Sequence, residues 1–137
     1  MKDKIYEINT RFYNALNNSD ISLMEEIWLK KSSAKCVHPG WPILKGWDSI
    51  KESWQNIFET GGLNQVEISD IFVDIVGKTA WVNCIERINY LINNSFIVTM
   101  AQATNIFKLI EGDWKMVLHH ASPMPPPRSE INDHSLQ

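Results

Sequence analysis

A chain of 137 residues with a net charge of −3, 44% hydrophobic and 21% charged side chains has the size and balance of one globular domain. Its basic residues are scattered, which argues against a nucleic-acid face, and no apolar run approaches the roughly 20 residues that cross a bilayer. The first residues, Met1 to Glu7, lack an apolar signal core, so a cytoplasmic location is expected. Two cysteines, Cys36 and Cys84, are too few for a disulfide framework and read as reduced, buried thiols.

Ile5, Ile8, Phe12, Ala15 and Leu16 recur at three- and four-residue spacing and predict a first amphipathic helix. Asn17-Asn18-Ser19-Asp20 breaks it. A second helix follows, with Asp20 or Ser22 as N-cap and Met24, Ile27 and Trp28 on its apolar stripe. The next segment, Cys36-Val37-His38-Pro39-Gly40-Trp41-Pro42-Ile43-Leu44-Lys45-Gly46, holds two prolines and two glycines. It suits two short strands around a tight turn rather than a helix. Ile50, Trp54, Ile57 and Phe58 mark a third helix starting near Asp48, which Gly61-Gly62 stops.

From residue 63 the pattern has period two. Val66 and Ile68 alternate, then Ile71, Val73 and Ile75 alternate in the opposite phase, which predicts a bulge near Asp70. Gly77-Lys78, Asn93-Asn94 and Glu111-Gly112-Asp113 are turns between three long strands over 79–92, 95–110 and 114–122. Helices followed by a meander define an α+β fold. Residues 1–124 form the expected domain and 125–137 a proline-led tail.

This order, with His38-Pro39-Gly40-Trp41, the Gly46 to Trp54 segment, Thr104-Asn105-Ile106-Phe107, Gly112-Asp113-Trp114-Lys115 and His119-His120-Ala121-Ser122, resembles the SnoaL-like proteins of the NTF2-like superfamily. The resemblance implies a cone in which three N-terminal helices pack on a strongly curved antiparallel sheet. It also implies an interior pocket and a homodimer through the outer face of the sheet. The strand at 95–110 is apolar in both phases, which independently calls for a second cover.

Three residues are candidates for chemistry. Glu86 lies in the apolar phase of its strand, with Ala80, Val82, Cys84 and Ile88. A carboxylate there has a partner or a raised pKa. Neighbouring strand residues point oppositely, and Trp114, Met116, Leu118, His120 and Ser122 share a phase. Strict alternation therefore turns His120 inward and His119 outward. It also separates the two imidazoles too far for one metal ion, and no metal or cofactor is expected. His38, in the constrained turn, is the third candidate. Tyr13, Trp41, Trp54, Met100 and Asn105 are the expected ligand-binding residues. The aspartate set of ketosteroid isomerase has no matching positions here. The reading that follows is binding of an apolar or aromatic small molecule in an aromatic-lined cone. The alternatives are an acid–base enzyme acting on a carbonyl or polyketide-like compound and a dimeric protein-interaction domain. Neither nucleic acid nor membrane is expected as a partner.

Overall fold

The computed structural model describes residues 2–60 and 65–125; the Gly61-Gly62 helix stop and the tail beyond Pro125 lie outside them. Helices α1 (Lys2–Asn17) and α2 (Ile21–Ile27) are followed by short strands β1 (Lys35–Val37) and β2 (Leu44–Lys45) and helix α3 (Trp47–Thr60). Strands β3 (Gln65–Val76), β4 (Thr79–Ile92), β5 (Ser95–Ile110) and β6 (Asp113–Met124) then run as a meander. One six-stranded sheet results, in the order β2-β1-β6-β5-β4-β3. The β1–β6 pairing is parallel, the remaining pairings antiparallel.

Local chemistry accounts for the boundaries. Asp20, not Ser22, caps α2: its carboxylate accepts from the Leu23 N–H at 3.0 Å. Asn93 and Asn94, at φ 50° and 66°, make the tight β4–β5 turn, a conformation that asparagine tolerates better than most residues. At the end of α1, the Asn17 amide mimics a strand neighbour. It donates to Val66 O at 3.0 Å and accepts from Val66 N at 2.8 Å. One side chain thus fastens the edge strand to the helix that crosses it.

Two bulges set which side chains face inward. The expected one lies where β3 shifts register between Ser69 and Phe72, with Asp70 at φ 51°. The second is in β6. Leu118 pairs with Ile106 and Met116 with Phe107, so Val117 is an extra residue opposite an unbroken β5. An inserted residue inverts the alternation beyond it. Met116 is buried before the bulge, and His119 and Ala121 are buried after it.

Candidate functional site

The β6 bulge corrects the expected orientation of the histidine pair. His119 is 2% exposed and faces the interior, while His120 is exposed and pairs with Thr104 on the outer face. Met100 is also displaced from the expected ligand-binding set. Its register partner is Arg87, whereas the neighbouring pair, Ala101 with Glu86, is buried. Met100 therefore lies on the outer face. That strand is apolar in both phases, and the small side chains of Ala101 and Ala103 take the crowded inner one.

Glu86, Tyr13, Asn105 and His119 meet inside the cone, all at most 3% exposed. The Tyr13 hydroxyl donates to Glu86 Oε2 at 2.7 Å. Asn105 Nδ2 donates to Tyr13 Oη at 3.2 Å and to Asn9 Oδ1 at 2.9 Å. Asn105 Oδ1 lies 2.6 Å from His119 Nδ1, and His119 Nε2 is 3.9 Å from Glu86 Oε2. Tyr13, Glu86, His119 and Asn105 form a loop of three hydrogen bonds and the 3.9 Å contact between His119 and Glu86, and Asn9 is attached to it through Asn105. Such a loop is stable in a dry interior only when its members satisfy one another.

Asn9, attached to this loop, went unnoticed in the sequence. The signal was present: it sits four residues after Ile5 and four before Tyr13, on the helix face that buries Ile5, Ile8, Phe12 and Tyr13. A polar residue in an apolar stripe is the helical counterpart of Glu86 in its strand.

His38 stands apart from the loop. Ser53 Oγ donates to Ile50 O at 2.7 Å. That uses its only hydrogen, so the oxygen accepts from His38 Nε2 at 2.9 Å. The His38 ring stands edge-on to Trp54 and Trp41, with centroids 4.6 and 4.8 Å apart. The His38 and His119 centroids are 6.5 Å apart. Among the described residues no three histidine, cysteine, aspartate or glutamate side chains form a group suited to a metal ion.

Burial governs the protonation states. Desolvation pushes the Glu86 carboxyl up to about 7, although the Tyr13 hydrogen bond opposes this. Burial holds His119 down to about 3, with repulsion from His38 and His120 adding to it. Burial alone holds His38 down to about 4. Tyr13 is raised well above its ordinary value by burial and by the neighbouring Glu86. The Cys84 thiol is pushed up to about 11 by burial and the Cys36 thiol higher still, first by burial and then by Glu86. Neither thiol is a nucleophile at neutral pH. The interior therefore holds two neutral imidazoles, a protonated tyrosine and a carboxyl poised near neutrality.

A cleft of about 270 Å³ opens above this loop. His38, Trp41, Trp54, Ile88, Tyr90 and His119 are among its walls, and the lining includes no Asp, Glu, Lys or Arg. Trp41, 44% exposed, stands in the wall, whereas Trp47 is buried against Trp28 with ring centroids 6.2 Å apart. Tyr13 and Asn105 lie in the hydrogen-bonded loop and are absent from the lining. Of the loop, His119 alone reaches the cleft wall.

Helices folded over a curved sheet with an interior cleft define the NTF2-like, cystatin-like class of α+β protein, and solved structures match it closely. A candidate dehydratase of the NTF2-like family from Streptomyces avermitilis superimposes with a TM-score of 0.83 at 28% identity, over 89% of this chain and 95% of that one. A candidate calcium/calmodulin-dependent protein kinase type II association domain from Thiobacillus denitrificans gives 0.77 at 22% identity, over 86% and 93%. The chain belongs to the SnoaL-like domain family, which it matches over residues 5–127. It is also 27% identical over 120 residues to the F-box protein SKIP8 of Arabidopsis thaliana; the match takes in 88% of this chain, which spans about half (49%) of that protein.

Proposed function

We propose that this protein binds an uncharged, largely apolar small molecule in the cleft, with His119 as the polar anchor. The supporting observation is the walled space itself: aromatic and aliphatic sides without a formal charge, with two imidazoles in the wall, of which His119 is backed by the hydrogen-bonded polar network. A pocket so composed suits a planar ligand with a single hydroxyl, and penalises an anion that would find no cationic partner. The reading favours 2-naphthol over 2-naphthoate as probes in calorimetry. Removing one hydrogen bond costs about 1 kcal/mol, so His119→Ala is expected to weaken 2-naphthol roughly fivefold to tenfold. His120→Ala is expected to change it by less than about twofold. Equal loss in both variants, or tighter binding of the naphthoate, would contradict the assignment.

Acid–base chemistry is a second reading, supported by the 3.9 Å approach of Glu86 to His119 and by the likeness to a candidate dehydratase. With Glu86 ionised, His119 Nε2 could accept a proton from a bound molecule, and the carboxylate would stabilise the resulting imidazolium. Glu86→Gln would then abolish turnover while leaving binding in place. Turnover that survives that change would remove the reading.

The outer face of the sheet supports a homodimer. Trp81, Ile106 and Leu118 lie in register across β4, β5 and β6 and are half-buried. Association through this row is expected to be lost in Ile106→Asp, which places a charge in the seam. Sedimentation velocity should give a dimer for the parent and a monomer for the variant; a parent that sediments as a monomer contradicts the proposal.

A further inference from the structure

The loop around Asn105 fixes more than positions: it fixes where a hydrogen sits on His119. Tyr13 has one hydroxyl hydrogen, and at 2.7 Å from Glu86 Oε2 that hydrogen goes to the carboxylate. Tyr13 Oη is then an acceptor toward Asn105, 3.2 Å away. The Asn105 atom nearest Tyr13 must therefore be the amide nitrogen. Its second hydrogen needs another acceptor, and Asn9 Oδ1 supplies one at 2.9 Å. With both amide hydrogens committed on that side, the carbonyl oxygen of Asn105 is what meets His119 Nδ1 at 2.6 Å. An oxygen there accepts, so Nδ1 carries the hydrogen and Nε2 is left with its lone pair.

We infer that Asn9 is a positioning residue, which through Asn105 holds His119 as the Nδ1–H tautomer and leaves Nε2 free to accept a hydrogen bond from the ligand. Asn9 touches neither the cleft lining nor His119 in any hydrogen bond; it acts by giving the second Asn105 hydrogen a place to go. Without that acceptor the amide is held only by its 3.2 Å contact to Tyr13, and it can turn over when a protonated Glu86 donates to Tyr13 and the Tyr13 hydroxyl in turn donates to the amide oxygen. Its nitrogen would then donate to His119 Nδ1, the ring hydrogen would move to Nε2, and the anchor would become a donor. Asn9 is itself held in place, riding on α1 between Ile5 and Tyr13 at 1% exposure. The inference rests on His119 as the ligand anchor for its use, but its test needs no ligand.

The test is the nitrogen-15 spectrum of the histidine ring of His119 at neutral pH, in which a protonated and a bare ring nitrogen are far apart. The parent protein is expected to show Nδ1 protonated and Nε2 bare. Asn9→Leu, similar in branching and lacking an acceptor, is expected to populate the Nε2–H tautomer substantially. Asn9→Asp keeps an oxygen toward Asn105 in either charge state and should restore the parent pattern. Should the leucine variant not fold, Asn9→Ser, too short to reach Asn105, gives the same comparison. A parent spectrum with Nε2 protonated overturns the inference, as does a folded leucine or serine variant that retains Nδ1–H. Either result would leave the 2-naphthol calorimetry free to succeed or fail on its own.

Discussion

Phe12→Ala is expected to destabilise the protein by about 3–5 kcal/mol, a large part of the roughly 5–15 kcal/mol that holds a domain together. Phe12 is fully buried and lies at the centre of the aromatic core. Its ring centroid is 4.9 Å from Tyr13, 5.7 Å from Trp54, 6.4 Å from Trp28 and 4.8 Å from His119. Rings fixed by their own contacts cannot collapse into the vacated space, so the loss should fall in the upper part of the range. Two of these neighbours belong to the polar loop, so a cavity beside them would admit water and lower the Glu86 pKa toward its ordinary value. Phe12→Leu, which keeps most of the volume, should recover most of the stability. Denaturant unfolding measures both; a loss below about 1.5 kcal/mol for the alanine variant would contradict this account of the core.

Glu86→Gln should make the protein more stable than its parent above neutral pH and not below about pH 4.5. The sign follows from linkage. A carboxyl raised to about 7 in the folded state holds its proton there after the unfolded chain has released it. The Glu86 contribution to folding stability therefore falls as pH rises from the ordinary carboxylate value to about 7, and then levels off. Moving the carboxyl that far corresponds to roughly 3 kcal/mol, which the glutamine variant should regain at pH 8. The two buried histidines work in the opposite direction. Held down to about 4 and about 3, they stay neutral when folded and gain protons when unfolded, so their contribution is lost as pH falls below about 6.5. Between about pH 4.5 and 6.5 two protons favour the unfolded state and one the folded state. Stability of the parent should then rise by about 1.4 kcal/mol per pH unit from these three groups, and that of Glu86→Gln about twice as steeply. Parallel curves for parent and variant would mean that Glu86 has an ordinary pKa.

The helices and the meander were legible in the sequence because their signals are local: the Ile5–Phe12 spacing, the Pro-Gly turn after His38 and the asparagine pair between β4 and β5. The interior position of Glu86 was legible for the same reason. Strand β4 keeps one register with β5 along its whole length, so alternation counted from Ala80 holds as far as Ile88. It did not hold in β6. Met116, Val117 and Leu118 are apolar in both phases, so nothing in their side chains marks Val117 as the extra residue. The bulge is set by pairing with β5, a long-range fact. One inserted residue exchanged His119 for His120. Met100 was misplaced for a related reason, since a strand apolar on both faces does not say which face is inside. Asn9 could have been found by the rule that singled out Glu86, applied to a helix instead of a strand.

If the cleft binds as proposed, His119, not His120, meets the ligand within the cone. The direct measurement is the histidine-ring NMR spectrum of the protein during titration with 2-naphthol. The His119 and His38 signals should shift together and saturate with the calorimetric binding curve, while His120, exposed on the outer face, should stay in place. Shifts centred on His120, or saturable binding that moves neither His38 nor His119, would contradict it.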